Sequence, residues 1–406
     1  MVSRPFVAAW QEAWTQGQLA GKAIIPAMNW ASLASLVIAG AVAAAGQNAN
    51  RPAGPPRTNV TDAEVAAVTR ATLLIDTHND ITSKTVAGLD IGLLGSWDGT
   101  ATHGEANGTM TDTARLRKGG VGAVFFAAYV ASSYVQGNHS ANRALQMIDT
   151  VRYDIVGAHP KDYALATSAD QIEAAHRQGK IAALIGIEGG HAIEDSLRLL
   201  RDYYALGVRY MTLTHTNTND WADSSGDATN PAIAHHGGLT PFGKQVVQEM
   251  NRLGMMVDVS HVADSTFWAA LETSSAPMIA SHSSCRALTN NPRNMTDEMI
   301  AALAQHGGVI QINFYCDFVK QQASPPTLSD VVDHIDHAVK VAGIEHVGIG
   351  SDFDGIECAP VGLQSVADFP HLTKALLERG YSHAQITMLY GGNTLRLMRA
   401  VEAKRE

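Results

Sequence analysis

Short apolar runs of the kind that form buried β-strands alternate with amphipathic helical stretches from about residue 71 onward. This alternation is typical of βα units, in which helices cover a parallel sheet. About eight runs occur, at residues 72–77, 121–129, 181–187, 209–214, 255–260, 277–281, 308–314 and 346–351. Eight is the number that a closed (β/α)8 barrel requires. The sequence therefore predicts an α/β fold of the TIM-barrel type, with an open doubly wound sheet as the alternative.

Two of the intervening stretches show helical periodicity especially well, at residues 240–253 and 328–341. Thr240 and Ser329 are candidate N-caps for these helices because their hydroxyls can accept hydrogen bonds from the first turn. His334 lies among acidic residues on the second helix, and we expect it on a solvated face.

The first 60 residues differ from the rest of the chain. Residues 31–45 form an apolar run of 15 residues that is closed by Ala43 and Ala45 in the A-x-A relation of an export cleavage site. The run is shorter than the roughly 20 residues that span a bilayer. We predict a non-barrel signal-like or anchor segment plus linker at residues 1–60 and a catalytic domain at residues 61–406. Export to a periplasmic or other extracytoplasmic space follows, with a cytoplasmic location as the alternative and membrane association only through an uncleaved anchor.

Composition and cysteine usage exclude several classes of protein. Lys and Arg total 29 against 39 Asp and Glu, for a formal charge of -10, and no basic run occurs, which argues against a nucleic-acid partner. The three cysteines, Cys285, Cys316 and Cys358, lack CxxC spacing. We expect free thiols, with neither a disulfide framework nor a thiolate zinc site. Any strong metal site must therefore use histidines and carboxylates.

Side chains that can bind a metal ion follow most of the predicted strands. The first run ends in an H-x-D pair, His78 and Asp80, which strand alternation places on one face. The other polar residues at strand ends are Glu188, His215, His261, His282, Tyr315 and Asp352. Barrel enzymes carry their chemistry at the C-terminal ends of the strands, which surround one cavity. Histidine nitrogen and carboxylate oxygen suit zinc and related divalent ions.

This ligand set exceeds the needs of one ion. The economical arrangement is two divalent ions that share a bridging carboxylate, with a water or hydroxide between them as nucleophile. Glu188 is the natural bridge because Gly189 and Gly190 behind it let the backbone pass close to the site. An ordinary turn is the alternative explanation for these glycines.

Seven segments, taken together and in order, resemble the membrane dipeptidase (renal dipeptidase) family, the amidohydrolase-like M19 metallopeptidases. They are IDTHND, IEGGH, TLTHTNTNDWADSS, VDVSH, ASHSSCRALTNNPRNM, INFY and GIGSDFDG. The resemblance extends from about residue 70 to about residue 398. It implies two Zn²⁺ ions per subunit, a dipeptide substrate and a homodimer.

The resemblance also implies which residues bind the metal ions. His78, Asp80 and Glu188 would hold one zinc ion. Glu188, His261 and His282 would hold the other, so that Glu188 and a water or hydroxide bridge the two.

Four further residues acquire roles in substrate binding and catalysis from the same resemblance. His215 would contact the oxygen of the scissile bond and its tetrahedral successor. Asp352 would exchange protons with the bridging water. Arg293 would bind the terminal carboxylate of the substrate, with Tyr315 nearby.

These expectations favour a zinc-dependent dipeptidase that cleaves dipeptides with a free C-terminal carboxylate through a metal-bridging hydroxide and that accepts D-residues at the C-terminal position. The alternative is a binuclear amidohydrolase or lactonase acting on N-acyl amino acids or another small amide or ester. Many such enzymes bridge their metals with a modified lysine, and no lysine ends the third or fourth run here. A third hypothesis is a metal-stabilised binding or scaffold protein without catalysis, which would have little need for Asp352, His215 and Arg293.

Overall fold

The fold is a nearly closed barrel of parallel strands. The structure is a computed structural model, which describes residues 54–93, 108–321 and 324–406. Strands in this part of the chain are Leu74–Asn79 (β1), Val121–Tyr129 (β2), Tyr163–Leu165 (β3), Ile181–Glu188 (β4), Val208–Thr212 (β5), Met256–Asp258 (β6), Ile279–Ser283 (β7), Val309–Ile312 (β8) and Val347–Ile349 (β9). Their order around the barrel is β1-β2-β4-β5-β6-β7-β8-β9. All eight predicted runs coincide with these barrel strands, which confirms the (β/α)8 prediction.

Helices cover the outside of the barrel, as expected for parallel strands that are buried on both faces. The α-helices are Asp62–Ala71 (α1), Thr82–Thr85 (α2), Thr113–Gly119 (α3), Ser140–Thr150 (α4), Ala169–Arg177 (α5), Leu197–Ala205 (α6), Pro241–Leu253 (α7), Asp264–Thr273 (α8), Asp297–Gln305 (α9), Cys316–Val319 (α10), Leu328–Ala342 (α11), Phe369–Arg379 (α12), His383–Thr387 (α13) and Asn393–Glu402 (α14). Short 3₁₀ segments are Ser132–Val135, Gly190–Ile193, Ile344–His346 and Val366–Asp368, and π-helical segments are Val151–Gly157 and Met388–Gly392.

The barrel closes between the ends of β9 and β1. The backbone N–H of Asp352 donates to the carbonyl of His78 at 3.0 Å, and that of Asp80 donates to the carbonyl of Phe353 at 2.9 Å. Asn79 and Phe353 form an isolated parallel bridge at the same level. Closure therefore places the first and last strand ends side by side.

The strand β3 and the cap of α11 differ from the sequence predictions. β3 was missed, because three residues are too few to show an alternation pattern; it pairs with the first residues of β4. Thr240 caps α7 as predicted. However, α11 is capped by Thr327 instead of Ser329, because Thr327 and Asp330 form a reciprocal capping box.

The prediction of a solvated His334 was wrong. Its side chain is buried, Nδ1 accepts a hydrogen bond from the Cys285 N–H at 3.0 Å, and Nε2 lies 3.0 Å from the Val319 carbonyl. Burial also lowers the pKa of His334. The neighbouring carboxylates suggested a wet helix face, but His334 lies on the side of α11 that faces the barrel.

The prediction of three free thiols was also wrong, because Cys316 and Cys358 form a disulfide and only Cys285, among the described cysteines, is free. Cys316 begins α10 after β8, and Cys358 lies 42 residues later in the loop after β9. Neighbouring strands of the barrel bring the two loops together. Spacing along the sequence does not reveal this pairing.

Packing onto the barrel begins slightly before the predicted start of the catalytic domain. The Gly54 N–H donates to the Gly380 carbonyl at 3.0 Å, and the Arg57 N–H donates to the Glu378 carbonyl at 2.7 Å. The signal-like run at residues 31–45 lies outside the described residues. Within the described ranges, no helix is long and apolar enough to cross a membrane.

A buried carboxylate ties three neighbouring strand ends together. Asp258, the last residue of β6, accepts hydrogen bonds from the Thr212 hydroxyl at 2.6 Å and the Ser260 N–H at 3.0 Å. It also accepts from the Ser281 N–H at 2.9 Å and hydroxyl at 2.6 Å. Ser260 and Ser281 each precede a histidine of the predicted metal site, so Asp258 positions those histidines from below.

We expect Asp258→Ala to lower the free energy of unfolding by about 3 kcal/mol, because four donors would lose a buried anionic acceptor. Urea unfolding of the purified protein measures this loss. Asp149→Ala, at an exposed position on α4, is the matched control and should change stability by less than about 0.5 kcal/mol. Equal effects of the two substitutions would contradict the structural role of Asp258.

Candidate metal centre

Glu188, the last residue of β4, lies at the centre of a buried group of histidines. Its Oε1 lies 2.9 Å from His261 Nε2 and 3.3 Å from His282 Nε2, and its Oε2 lies 3.6 Å from His78 Nε2. The Glu188 side chain is only 5% exposed. Burial alone would raise the pKa of Glu188, but His78, His215, His261 and His282 together hold it well below its ordinary value. Glu188 is therefore a buried carboxylate anion.

The first potential ligand group consists of His78, Asp80 and Glu188. The Tyr210 hydroxyl donates to the Thr77 carbonyl at 3.1 Å and lies 2.8 Å from His78 Nδ1. Because the hydroxyl proton is used, the hydroxyl accepts from Nδ1–H, and this leaves Nε2 as the nitrogen of His78 that faces the carboxylates. His78 Nε2 and Asp80 Oδ2 are buried and lie 3.2 Å from each other, and neither atom has another hydrogen-bond partner in the described part of the chain. A cation would satisfy both atoms.

The charge of this group also fits a cation. Burial opposes protonation of His78, but Tyr210, Glu188 and Asp80 raise its pKa well above the ordinary value. Burial disfavours the charged form of Asp80 as well and so raises the pKa of this carboxyl group. His78 counteracts the increase, and Glu188 adds to it. The carboxylates thus draw positive charge to the place where a metal ion would lie.

The second potential ligand group consists of Glu188, His261 and His282. The Ser281 hydroxyl donates to Asp258 and lies 2.7 Å from His282 Nδ1, so it accepts from Nδ1–H and leaves His282 Nε2 as a lone pair. His261 Nε2 lies 2.9 Å from His282 Nε2. Burial lowers the pKa of both histidines well below the ordinary value. Two neutral imidazoles therefore converge on one Glu188 oxygen, as ligands of a divalent ion do.

Two of the predicted site residues have a left-handed backbone, which residues other than glycine adopt infrequently. They are His261 and Asp352, each with φ of 65°. The Asp352 N–H is fixed by the His78 carbonyl, and the His261 carbonyl accepts from the Ser225 N–H at 2.8 Å. Such conformations cost of order 1–3 kcal/mol each and cluster at functional sites. The loops are therefore built to hold these two side chains in fixed directions.

Asp352 lies beside these two ligand groups and forms a third potential group with His78 and His282. Its Oδ1 is 3.9 Å from His78 Nε2, and its Oδ2 accepts from the Asn313 side-chain amide at 2.8 Å. Burial raises the pKa of Asp352 to about 8. His78 counteracts this increase, and the Asp80 and Glu188 carboxylates add to it. Bound cations would lower this pKa again. Asp352 is therefore a carboxyl group whose protonation depends on what occupies the centre.

A cavity of about 380 Å³ opens onto the centre. Its walls include Asp80, Tyr129, Glu188, His215, His261, Tyr315, Phe318, Asp352, Ile356 and Glu357. This volume is at the small end of the range for small-molecule sites. Three predicted metal ligands, together with His215 and Asp352, therefore line a cavity that suits a short substrate, whereas His78 and His282 are buried and do not line it.

His215 lines the cavity beside Glu188. Its Nε2 is 3.7 Å from Glu188 Oε1, and its ring contacts those of Tyr129 and His261 at centroid distances of 4.8 Å and 4.4 Å. Burial lowers the pKa of His215. The Thr216 hydroxyl lies 3.1 Å from Nδ1 and can donate to it, which leaves Nε2–H as a donor.

Arg293 is a buried predicted site residue that does not line the cavity. Its guanidinium donates to the Ser283 hydroxyl at 2.9 Å and the His282 carbonyl at 2.8 Å, and it lies 5.5 Å from the Phe318 ring centre. Burial lowers the pKa of Arg293 to about 10, so it remains a cation at neutral pH. The cavity wall includes Phe318 and Tyr315. Arg293 is thus a buried positive charge beside that wall.

Tyr129 and Tyr210 are functional neighbours that the sequence reasoning missed. Tyr129 ends β2 and lines the cavity, so the same strand-end rule that selected the other residues could have found it. Tyr210 points inward from β5 and contacts His78. The Tyr210 ring packs against the backbone at Gly186, because a Cβ at that position would overlap the ring. Phe318 and Ile356 carried no signal in the sequence.

Known proteins are similar to this chain in sequence and in fold. The family model described as "Membrane dipeptidase (Peptidase family M19)" matches residues 62–406. An uncharacterized dipeptidase of Schizosaccharomyces pombe is 40% identical over 344 residues, which cover 81% of this chain and 80% of that protein. Dipeptidase verJ of Clonostachys rogersoniana is 42% identical over 301 residues, which cover 72% and 76% of the two chains.

A solved structure agrees with these relatives. A metallo peptidase from Rhodobacter sphaeroides, liganded with a phosphinate mimic of the dipeptide L-Ala-D-Ala, superposes with a TM-score of 0.70 at 25% identity. The superposition covers 81% of this chain and 99% of that one. The chain therefore belongs to the membrane dipeptidase family, peptidase family M19, and is a metallo-dipeptidase.

Proposed function

We propose that this metallo-dipeptidase uses two zinc ions to hydrolyse dipeptides that have a free C-terminal carboxylate. The observation that carries the proposal is the convergence of three imidazole Nε2 atoms and two carboxylates on one buried point at Glu188. His78, Asp80 and Glu188 would hold one ion, and Glu188, His261 and His282 the other. Three histidines with two carboxylates, and no cysteine, form a donor set that suits zinc.

Divalent ions held by these residues would make a water acidic enough to act as the nucleophile near neutral pH and would polarise the scissile carbonyl. Asp352 is the proposed proton acceptor for that water. Asn313 fixes one of its oxygens at 2.8 Å, and the other faces the ligand groups. From this position, Asp352 can take the proton and return it to the leaving amine.

His215 is the proposed donor to the oxygen of the scissile bond. With Thr216 hydrogen-bonded to Nδ1, its Nε2–H faces the interior of the site. A donor in a buried site stabilises the developing oxyanion more than the neutral carbonyl, and this difference lowers the barrier.

Arg293 and Tyr315 are proposed to recognise the C-terminal carboxylate of the substrate. Arg293 is a permanent positive charge beside the cavity wall, and its Nε has no partner among the described residues. Tyr315 lines the cavity. We also propose that a D-configured C-terminal residue is accepted, in line with the L-Ala-D-Ala mimic bound by the Rhodobacter sphaeroides peptidase.

We further propose an extracytoplasmic location and a homodimeric assembly. The Cys316–Cys358 disulfide supports an oxidising compartment, because disulfides are rare where thiols are kept reduced. Residues 31–45 would direct the export, and residues 61–406 would form the catalytic domain.

We expect the purified protein to hydrolyse L,L- and L,D-dipeptides, to lose this activity on dialysis against a chelator, and to regain it with zinc. Release of free amino acids, followed by chromatography, measures turnover. N-acyl amino acids and lactones serve as comparison substrates. If the protein hydrolyses these compounds but does not cleave dipeptides, the proposed substrate class is wrong.

We expect Asp352→Asn to retain its metal ions and to lower kcat at least about 100-fold, because the amide cannot accept the proton of the nucleophile. Steady-state kinetics and metal analysis of the same preparation separate the two effects. Asp336→Asn is the matched control, since burial also raises the pKa of Asp336 but its partner is Arg379, outside the site. Full activity of Asp352→Asn would exclude Asp352 from proton transfer.

We expect Arg293→Ala to raise KM about tenfold or more for dipeptides with a free carboxylate, because the variant loses the charge that pairs with it. The corresponding C-terminal amides should be affected much less. Arg293→Lys, which keeps the charge but not the planar fork, should lie between wild type and Arg293→Ala. An equal rise in KM for the free acids and for the amides would contradict the carboxylate contact and would indicate that Arg293 is needed for the site to fold.

A further inference from the structure

The Cys316–Cys358 disulfide joins the two loops that form one wall of the cavity. Cys316 directly follows Tyr315 and precedes Phe318 by two residues, and both neighbours line the cavity. Cys358 directly follows Glu357, which lines the cavity from the other loop. Each half of the disulfide is therefore next to side chains that a substrate would touch.

The parts of these loops that are closest to the metal centre are anchored without the disulfide. Asp352 is fixed by the His78 carbonyl at 3.0 Å and by the Asn313 amide at 2.8 Å. Asp354, two residues farther on, pairs with Lys84 at 2.8 Å. The proposed proton acceptor and the metal ligands therefore do not depend on Cys358.

The outer parts of the two loops are joined covalently at Cys316 and Cys358, where the Cys316 N–H also donates to the Cys358 carbonyl at 3.3 Å. Phe318, on the first loop, carries the cation–π contact with Arg293. A shift of this wall would therefore also change the surroundings of the charge proposed to bind the substrate carboxylate.

We propose that the Cys316–Cys358 disulfide is a positioning element for substrate binding, which fixes the spacing between the Tyr315–Phe318 and Ile356–Glu357 sides of the cavity. This inference rests on the proposed dipeptidase function. A wall that is not cross-linked must be ordered when the substrate binds, and each side chain that is ordered costs affinity. Cleavage of the disulfide should therefore raise KM and leave kcat and metal content unchanged.

The test compares the oxidised full-length holoenzyme with the same protein after reduction by a water-soluble phosphine. The phosphine supplies two electrons and becomes the phosphine oxide with oxygen from water, whose two protons complete the two thiols. We expect KM for L-Ala-L-Ala to rise about tenfold, with kcat within twofold, unchanged metal content and recovery on reoxidation. Peptide mapping by mass spectrometry establishes that the bond is broken.

Two variants serve as controls for this test. Cys316→Ser/Cys358→Ser should have the raised KM from the start and should not respond to the phosphine. Cys285→Ala, which removes the buried free cysteine and keeps the disulfide, should respond as the wild type does. An unchanged KM after complete cleavage overturns the proposal, and so does a parallel loss of kcat and metal, which would indicate general stabilisation.

Hydrogen–deuterium exchange provides a readout that does not depend on turnover. Amides of residues 315–319 and 355–361 should exchange faster after reduction, and those of residues 347–353 should not change. If the oxidised enzyme cleaves no dipeptide, the proposed function fails, and the exchange data still decide whether the disulfide orders the wall. Identical exchange in both forms overturns the positioning role.

Discussion

Burial of one negative charge, on Glu188, determines how the rest of the centre is arranged. A carboxylate at 5% exposure loses most of its hydration, which is costly unless positive charge or hydrogen-bond donors replace it. The barrel meets this requirement with His78 from β1, His282 from β7 and His261 from the loop after β6. These imidazoles direct lone pairs as well as protons toward the centre, so metal ions complete an arrangement that the protein groups alone leave partly unsatisfied.

The barrel interior and the outer loops have separate tasks. Interior groups fix the ligand tautomers, since Tyr210 occupies Nδ1 of His78 and Ser281, itself held by Asp258, occupies Nδ1 of His282. The loops after β8 and β9 instead shape the cavity wall, and a disulfide joins them. A rigid interior under adjustable loops lets the chemistry stay constant while substrate recognition varies.

The sequence predicted those features that follow from the order of strands and from what each strand ends with. His78, Asp80 and Glu188 could be selected because parallel strands in a barrel deliver their C-terminal ends to one place. Residues whose role depends on which strand ends are neighbours could not be selected in this way. The Cys316–Cys358 pair and the buried His334 are such cases, and both predictions for them were wrong. Arg293 carried no local signal at all and was identified only through the family resemblance.

An anomalous difference map, recorded at the zinc absorption edge from crystals of the purified protein, tests the proposed centre most directly. We expect two peaks per chain, one enclosed by His78, Asp80 and Glu188 and the other by Glu188, His261 and His282. A single peak, or peaks that Glu188 does not contact, would contradict a centre built around that carboxylate.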